Sequence, residues 1–280
     1  MLEIFSYDFM INALIAGTLA SIAFGVVGSY IVVKKISYIS GGISHTAYGG
    51  IGLGYFLGFS PLLGAVGFSI LAAIIIAYLR TKRNNNEDTI IGIMWSLGMA
   101  LGILFISLTE GYAPNLNGYL FGNILVVPTE ELYLMFVLDL VIVLSVYCFY
   151  DKFLAITFDE EFARVKGIKV DLYYLILLIL IAFTTVVLIK LVGIILVIAL
   201  LTIPGAISLQ FVKSLRSMMI LSTIIGFLFN LLGLIISYYL NISSGATIII
   251  IAVISYIISL ILKNYYFNKI VLQNKEASFD

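Results

Sequence analysis

The sequence predicts an all-α protein built as a bundle of membrane-spanning helices. Hydrophobic residues make up 62% of the 280 residues and charged residues 11%, and the mean hydropathy is +1.17, values typical of polytopic membrane proteins. The apolar residues fall in runs of about 20, the length that crosses roughly 30 Å of hydrocarbon. We therefore expect one transmembrane domain over residues 1–280, in contact with the lipid bilayer and with no nucleic acid.

Nine apolar runs can be placed along the chain, with eight as the alternative count. The second run is short and rich in glycine, so its bounds are the least defined. In order, the runs are Phe9–Val33, Ile43–Phe59, Leu62–Leu79, Thr89–Leu108, Leu132–Tyr150, Leu172–Ile189, Leu191–Phe211, Met218–Leu240 and Ala246–Leu262.

The basic residues predict how the bundle is oriented, because positively charged loops stay in the cytoplasm. With nine spans and an outer N-terminus, 14 of the 15 Lys and Arg residues fall on the cytoplasmic side. Only Lys190 falls outside or near the outer interface. The sequence thus predicts a cytoplasmic C-terminus, with a short polar tail over residues 263–280.

The start of the second run contains the single histidine of the chain, within Ser37–Gly50. On a helix, His45 and Tyr48 lie on the same face. An ionisable side chain inside a bilayer is costly unless it faces a cavity or a partner, so His45 is a candidate functional residue. The alternative is a histidine near the interface that only satisfies a hydrogen bond between helices, since it lies ten residues after Lys35.

Two features lie near the fifth run. The preceding segment, Thr109–Glu131, contains Pro, Asn and Gly around a short apolar piece. Because that piece is too short to span, it is either a surface or re-entrant element over an outer vestibule, or an ordinary loop. Asp139 lies near the middle of the run, so its carboxylate should face the bundle interior. It is a candidate for the pathway, although a hydrogen bond to a neighbouring helix would explain it equally well.

The longest inner loop, Asp151–Asp171, predicts a short amphipathic helix near residues 158–168. Acidic residues lead and basic residues follow, with Glu160 and Arg164 at i,i+4, and Gly167 stands where a helix C-cap favours a left-handed residue. One interpretation is a solvated connector between two spans. The other is a knob that fits a groove in a cytoplasmic partner.

The seventh run contains Pro204 followed by Gly205, which predicts a kink or break near its cytoplasmic end. Broken spans often line pathways, but they are also common as plain kinks. The phosphate-binding loop of P-loop ATPases, Gly-x-x-x-x-Gly-Lys followed by Ser or Thr, is absent from the sequence. Any ATP that drives this protein must therefore be hydrolysed by another chain.

Three stretches together resemble the permease subunits of the ABC-3 family, prokaryotic importers of zinc, manganese and related divalent metals. They are Ile39–His45 with its following glycines, the inner helix Asp159–Gly167, and Val192–Ala206 followed later by Ser244–Thr247. The resemblance implies a bundle like that of type II importers, a homodimer in the prokaryotic cell membrane. It also implies cytoplasmic ATPase subunits, an extracytoplasmic metal-binding protein, and neither enzymatic activity nor a permanently bound cofactor in this chain.

The resemblance also implies a role for the inner helix. It is similar to the coupling helix that inserts into the ATPase. The residues at that contact would be Asp159, Glu160, Glu161, Arg164 and Gly167.

His45 resembles the family's histidine on the second span, a transient ligand for the ion. Many members have an aspartate four residues before this histidine, whereas this chain has Gly41. Ser40, Ser44 and Tyr48 would then supply only weaker oxygen contacts. Because an imidazole without a hard carboxylate tilts preference slightly from Mn²⁺ toward Zn²⁺, we expect zinc as the transported ion, with manganese or iron as the alternatives.

Two other functions compete with this interpretation. A secondary transporter driven by a proton or sodium gradient would use His45 and Asp139 as its coupling pair. An intramembrane enzyme would need a nucleophile and a base, or several metal ligands, at membrane depth, and one histidine with one cysteine argues against it.

Overall fold

The computed structural model describes residues 7–81, 87–109 and 116–276, and this part of the chain is helical without any strand. One 3-10 turn, Ile124–Val126, lies between the fifth and sixth helices. The helices are α1 (Asp8–Lys34), α2 (Ser37–Leu57), α3 (Pro61–Thr81), α4 (Glu87–Ser107), α5 (Leu116–Phe121), α6 (Thr129–Phe158), α7 (Glu160–Val165), α8 (Val170–Phe211), α9 (Leu215–Leu240) and α10 (Ser244–Glu276).

The all-helical membrane bundle is confirmed, but the number of separate spans differs from the prediction. Seven described helices are long and apolar enough to cross a membrane. The helix α2 has 21 residues but is not among them, because Ser, Gly and His lower its hydropathy. The sixth and seventh predicted runs both lie in α8, which has 42 residues and is interrupted at Gly193.

The helix α8 folds back on itself. Near its start, the Tyr174 ring lies 5.6 Å from Lys34 Nζ at the end of α1. Near its end, Gly205 packs against Val32, which lies in the same turn of α1 as Lys34. Gly193, between them, has φ 76° and ψ 162°. The two halves of α8 therefore run antiparallel, and Gly193 forms the turn.

The sequence predicted a kink or break at Pro204 and Gly205, but the structure places the break at Gly193. The only non-helical residue within α8 is Gly193, and Pro204 is buried inside helical backbone. A Cβ atom at Gly193 would overlap the carbonyl oxygen of Leu120, and its φ is left-handed. Only glycine meets both requirements, so the break lies 11 residues before the proline.

The helix α2 occupies the centre of one half of the bundle. It packs against α3, α4 and α8, and every residue from 39 to 52 is buried. Glycines allow this enclosure, since Gly50 meets Gly64 of α3 and Gly98 of α4 meets Thr46, backbone against backbone. In the other half, α6, α8 and α9 surround α1, and α10 packs on α8 and α9.

The two ends of the bundle differ in chemistry. Lys34, Arg80 and α7 meet at one end, here called the basic end. The described part of the predicted vestibule segment forms α5 at the opposite end, where it packs on α8; residues 110–115 lie outside the described part. The predicted polar tail is helical as far as Glu276, and residues 277–280 are also outside it.

Candidate functional site

His45 lies close to the middle of α2, and α4 is held firmly beside it. The Thr46 hydroxyl donates a hydrogen bond to the carbonyl of Gly42 at 2.7 Å and lies 3.1 Å from that of Met94 in α4, so both carbonyls are within reach of its one proton. Gly98 of α4 offers no side chain where it meets the backbone of Thr46. This close approach brings Trp95 against the histidine.

The His45 ring stacks on the Trp95 ring, with centroids 3.8 Å apart and an angle of 14° between the planes. The residue is only 7% exposed. Its Nδ1 atom is buried without a hydrogen-bond partner among the residues that the structure describes. A neutral imidazole presents a lone pair suited to a metal ion, so this nitrogen is a candidate ligand.

The position one turn before His45 is filled by other side chains. A Cβ atom at Gly41 would lie 2.7 Å from Ile198 Cδ1 and 3.0 Å from the Trp95 ring. Tyr48, one turn after His45, is 1% exposed and packs against Gly102 of α4. The face of α2 that carries the imidazole therefore presents no carboxylate, and Trp95 and Ile198 occupy the space in which one would fit.

Ser40 and Ser44, which were predicted to supply oxygen ligands for the ion, lie on another side of α2. The Ser40 hydroxyl donates to the Ser37 carbonyl at 2.7 Å. The Ser44 hydroxyl donates to the Ser40 carbonyl at 2.7 Å and lies 3.4 Å from the hydroxyl of Thr185 in α8. Both hydroxyl protons are thus used within the bundle, and the structure does not bring these serines to the His45–Trp95 face.

Asp139 is buried, at 4% exposure, and neither carboxylate oxygen has a hydrogen-bond partner in the described part of the chain. Its helix, α6, packs on α1 and α8 but shares no packed interface with α2. The structure therefore does not bring Asp139 and His45 together. Across the described ranges, no group of three or more His, Cys, Asp or Glu side chains could hold a metal ion.

The inner helix forms where the sequence predicts it, as α7, and both of its ends are capped. The Asp159 carboxylate accepts a hydrogen bond from the Phe162 N–H at 2.9 Å. After the helix, Gly167 has φ 78°, and the Ile168 N–H donates to the Ala163 carbonyl at 3.0 Å. This is the Schellman arrangement that ends a helix with a left-handed glycine.

The predicted Glu160–Arg164 pair does not form. Arg164 instead pairs with Asp171 at 2.9 Å, with both side chains more than half exposed. Glu160 turns toward the bundle and pairs with Lys34 at 2.5 Å and Arg80 at 2.8 Å. Burial by itself raises the pKa of Glu160, but the hydrogen bonds and charges of Lys34 and Arg80 outweigh it and hold the pKa below its usual value.

The opposite side of α7 presents an exposed apolar surface. Phe162 is 51% exposed and Val165 is 88% exposed, and Phe158 at the end of α6 is 68% exposed. Glu161 is exposed beside them. Three large apolar side chains on a charged loop favour a docking surface for a partner protein over a solvated connector.

The other end of the bundle carries the single predicted outer lysine. Lys190 pairs with Glu131 at 2.8 Å and lies 4.3 Å from the ring centroid of Tyr119 in α5. Tyr119 in turn contacts Tyr55, near the end of α2, with ring centroids 6.1 Å apart. A cavity of about 250 Å³ adjoins this cluster. The short helix α5 thus contacts, through Tyr119, the end of α2 that lies farthest from the basic end.

Sequence reasoning missed three residues of these sites: Trp95, Lys34 and Arg80. Trp95 is the only tryptophan in the chain, which could have marked it, but nothing in the sequence relates its position to His45. Lys34 and Arg80 were interpreted only as loop charges that set orientation. Each directly follows an apolar run in the sequence, but nothing in the sequence relates them to a common partner.

Fold and site together define a polytopic membrane permease, with a buried histidine between packed helices and a short helix that exposes apolar side chains at the basic end. The chain belongs to the ABC 3 transport family, whose model matches residues 6–263. In this family the membrane chain is not an enzyme, because a separate subunit hydrolyses ATP.

Relatives and solved structures agree with this membership. A probable metal transport system membrane protein of Chlamydia trachomatis is 39% identical over 91% of this chain and 89% of its own length. The manganese import system permease protein ScaB of Streptococcus gordonii is 33% identical, over 90% and 91%. The solved structure of PsaBC from Streptococcus pneumoniae in complex with Fab has a chain that is 34% identical, with a TM-score of 0.83 over 91% of this chain and 92% of that one.

Proposed function

We propose that this chain is the permease subunit of an ATP-driven importer of divalent metal ions, with Mn²⁺ as its main substrate. Relatives that match about nine-tenths of the chain are named as metal or manganese transport proteins. The expected preference for zinc rested on the absence of a carboxylate beside His45, and these names do not support it. In this proposal an extracytoplasmic binding protein delivers the ion, and cytoplasmic ATPase subunits supply the energy.

The single observation that carries the pathway is the Nδ1 atom of His45, buried and without a hydrogen-bond partner in the described residues. A buried polar atom without a partner is costly, and a passing metal ion would satisfy it. A lone imidazole holds an ion weakly, which suits a transporter because the ion must leave again. Further ligands would come from a second copy of the chain or from another conformation.

The proposed orientation places the basic end in the cytoplasm. Of 15 basic residues, 14 lie in segments that nine crossings would put on one side, which follows the positive-inside rule. The N-terminus is then outside and the C-terminus inside a prokaryotic cell membrane. The exposed surface of Phe158, Phe162 and Val165 would face an ATPase subunit, and α5 would face the binding protein.

Uptake by the complete transporter in vesicles tests the proposal. The permease is reconstituted with its ATPase and binding protein, and uptake of Mn²⁺, Zn²⁺ and Fe²⁺ is compared for the wild type and His45→Ala. We expect Mn²⁺ to be taken up fastest, and His45→Ala to lower Mn²⁺ uptake at least about tenfold at limiting ion, because a ligand of the ion is lost; a tenfold change corresponds to about 1.4 kcal/mol.

Ser96→Ala is the matched control. Ser96 lies next to Trp95, is exposed, and bonds only to its own helix, at the Gly92 carbonyl. Its uptake should stay at the wild-type rate. Normal uptake by His45→Ala at all ion concentrations would show that His45 is not a ligand. Faster uptake of Zn²⁺ than of Mn²⁺ by the wild type would show that Mn²⁺ is not the main substrate.

A further inference from the structure

A compact charged cluster ties α7 to the rest of the chain at the basic end. Its members are Glu160 of α7, Lys34 of α1, Arg80 of α3 and Tyr174 of α8. The side chains of Glu160, Lys34 and Arg80 are 26%, 9% and 24% exposed. Four elements that are distant in sequence therefore meet at one carboxylate.

Lys34 is fixed by the end of its own helix. Lys35 adopts a left-handed φ of 59° and donates to the carbonyls of Ile31 and Val32, which closes α1. From this position the Lys34 ammonium donates to the Ile156 carbonyl in the last turn of α6 at 2.6 Å, and to Glu160 at 2.5 Å. It thus satisfies an unpaired carbonyl at a helix end and also holds the carboxylate.

Arg80 holds the same carboxylate more rigidly. One of its terminal nitrogens, Nη2, lies 2.8 Å from each carboxylate oxygen of Glu160. The guanidinium also lies 3.9 Å from the centroid of the Tyr174 ring, which is 2% exposed. Ring and carboxylate together leave the Arg80 head little freedom. The position of Glu160 is therefore set by α1, α3 and α8 jointly.

We propose that Lys34 and Arg80 are positioning residues that make α7 move as one body with the basic ends of α1, α3 and α8. Through their contacts with Glu160, these two residues transmit a displacement of α7 to the helices around α2. The displacement would arise at the exposed surface of Phe158, Phe162 and Val165. Glu160 is then an internal anchor and not a residue of the ATPase contact. The transport part of this inference rests on the proposed function; the anchoring part does not.

A second ion pair on α7, between Arg164 and Asp171, does not anchor the helix in this way. Arg164 and Asp171 lie 2.9 Å apart, but their side chains are 56% and 54% exposed, and they join α7 only to the start of α8. An exposed single pair contributes little, whereas a partly buried carboxylate with two cations on two other helices constrains its helix. Arg164→Gln is therefore the matched control for Glu160→Gln.

Two measurements test the inference. The first is hydrogen–deuterium exchange of the backbone amides of residues 161–168 in the purified permease, which requires neither metal nor ATPase. We expect exchange in Glu160→Gln to be at least about tenfold faster than in the wild type, and exchange in Arg164→Gln to stay within about twofold. Arg80→Lys, which keeps the charge but loses the planar head, should fall between them.

The second measurement is the number of ions imported per ATP hydrolysed by the complete transporter in vesicles. We expect Glu160→Gln to lower this ratio at least about fivefold while ATP hydrolysis continues, and Ser96→Ala, which lies outside α7, to leave it unchanged. Unchanged exchange in Glu160→Gln, or equal exchange in Glu160→Gln and Arg164→Gln, would overturn the anchor. Faster exchange with an unchanged ratio would overturn its part in coupling. If the wild type imports none of the three metals, the proposed function fails, but the exchange result still decides the anchor.

Discussion

The contact between Gly50 of α2 and Gly64 of α3 sets the position of the helix that carries His45. A Cβ atom at Gly64 would lie 2.8 Å from the carbonyl carbon of Gly50, and nearer still to its oxygen, whereas ordinary contact begins at 3.4 Å. In Gly64→Ala the two helices must therefore separate by at least 0.6 Å, the difference between these distances. A gap of this size forfeits about a quarter to a half of the dispersion energy across the affected contacts.

Gly67 provides the control on the same helix. It is exposed, and a Cβ atom there would meet nothing within 4 Å. Replacing glycine by alanine in a helix stabilises it by up to about 1 kcal/mol, so Gly67→Ala should be neutral or slightly stabilising. In Gly64→Ala the same gain is outweighed by an overpacking cost of about 1–3 kcal/mol or more. We therefore expect the two variants to differ by about 2 kcal/mol.

Thermal unfolding in one detergent at one heating rate measures this difference. For a chain of 280 residues, about 2 kcal/mol corresponds to a difference in melting temperature of roughly 3–4 °C. Gly64→Ala should melt below the wild type, and Gly67→Ala at or above it. Equal melting temperatures for the two variants would refute the reasoning, because they would mean that the approach of α2 to α3 contributes nothing to stability.

Two further predictions concern the basic end. Because the pKa of Glu160 is lower in the folded chain, its stabilising contribution is complete above the unfolded pKa of about 4.3 and is lost as the pH falls through the folded value. The difference in melting temperature between the wild type and Glu160→Gln should thus be constant from about pH 7 to about pH 5 and shrink below. A difference that grows on acidification would contradict this. The proposed orientation predicts that Val165→Cys, made in a Cys148→Ser background, reacts with a membrane-impermeant maleimide only after the cells are opened; labelling in intact cells would place α7 outside.

The sequence alone was sufficient for the class of fold and for the end of α7 at Gly167. Hydropathy over runs of about 20 residues indicates which segments lie in lipid. Such segments are helical, because a backbone in lipid must satisfy its hydrogen bonds within a helix. The caps at Asp159 and Gly167 are local effects of side-chain chemistry and of left-handed φ. Such features depend on neighbours within a few positions, so a linear pattern contains them.

Other features required distances between helices. Proline is a local signal for a break, and it pointed to Pro204, but the turn in α8 lies at Gly193, where another segment, at Leu120, meets the backbone. A pairing rule at i,i+4 assigned Glu160 to Arg164, whereas two cations more than 70 positions away hold it. In both cases a nearby pattern was outweighed by a contact that only packing creates.

The site around His45 divides in the same way. The sequence by itself determined that a single imidazole lies in an apolar bundle, on a face without a carboxylate, because composition and helical periodicity are sufficient for that. Only the tertiary structure decided that Trp95 stacks on it, that Ser40 and Ser44 lie elsewhere, and that Asp139 belongs to a helix that does not pack on α2. The physical reason is that a side chain's partners in a bundle depend on how helices rotate and approach, which glycine contacts between distant segments set.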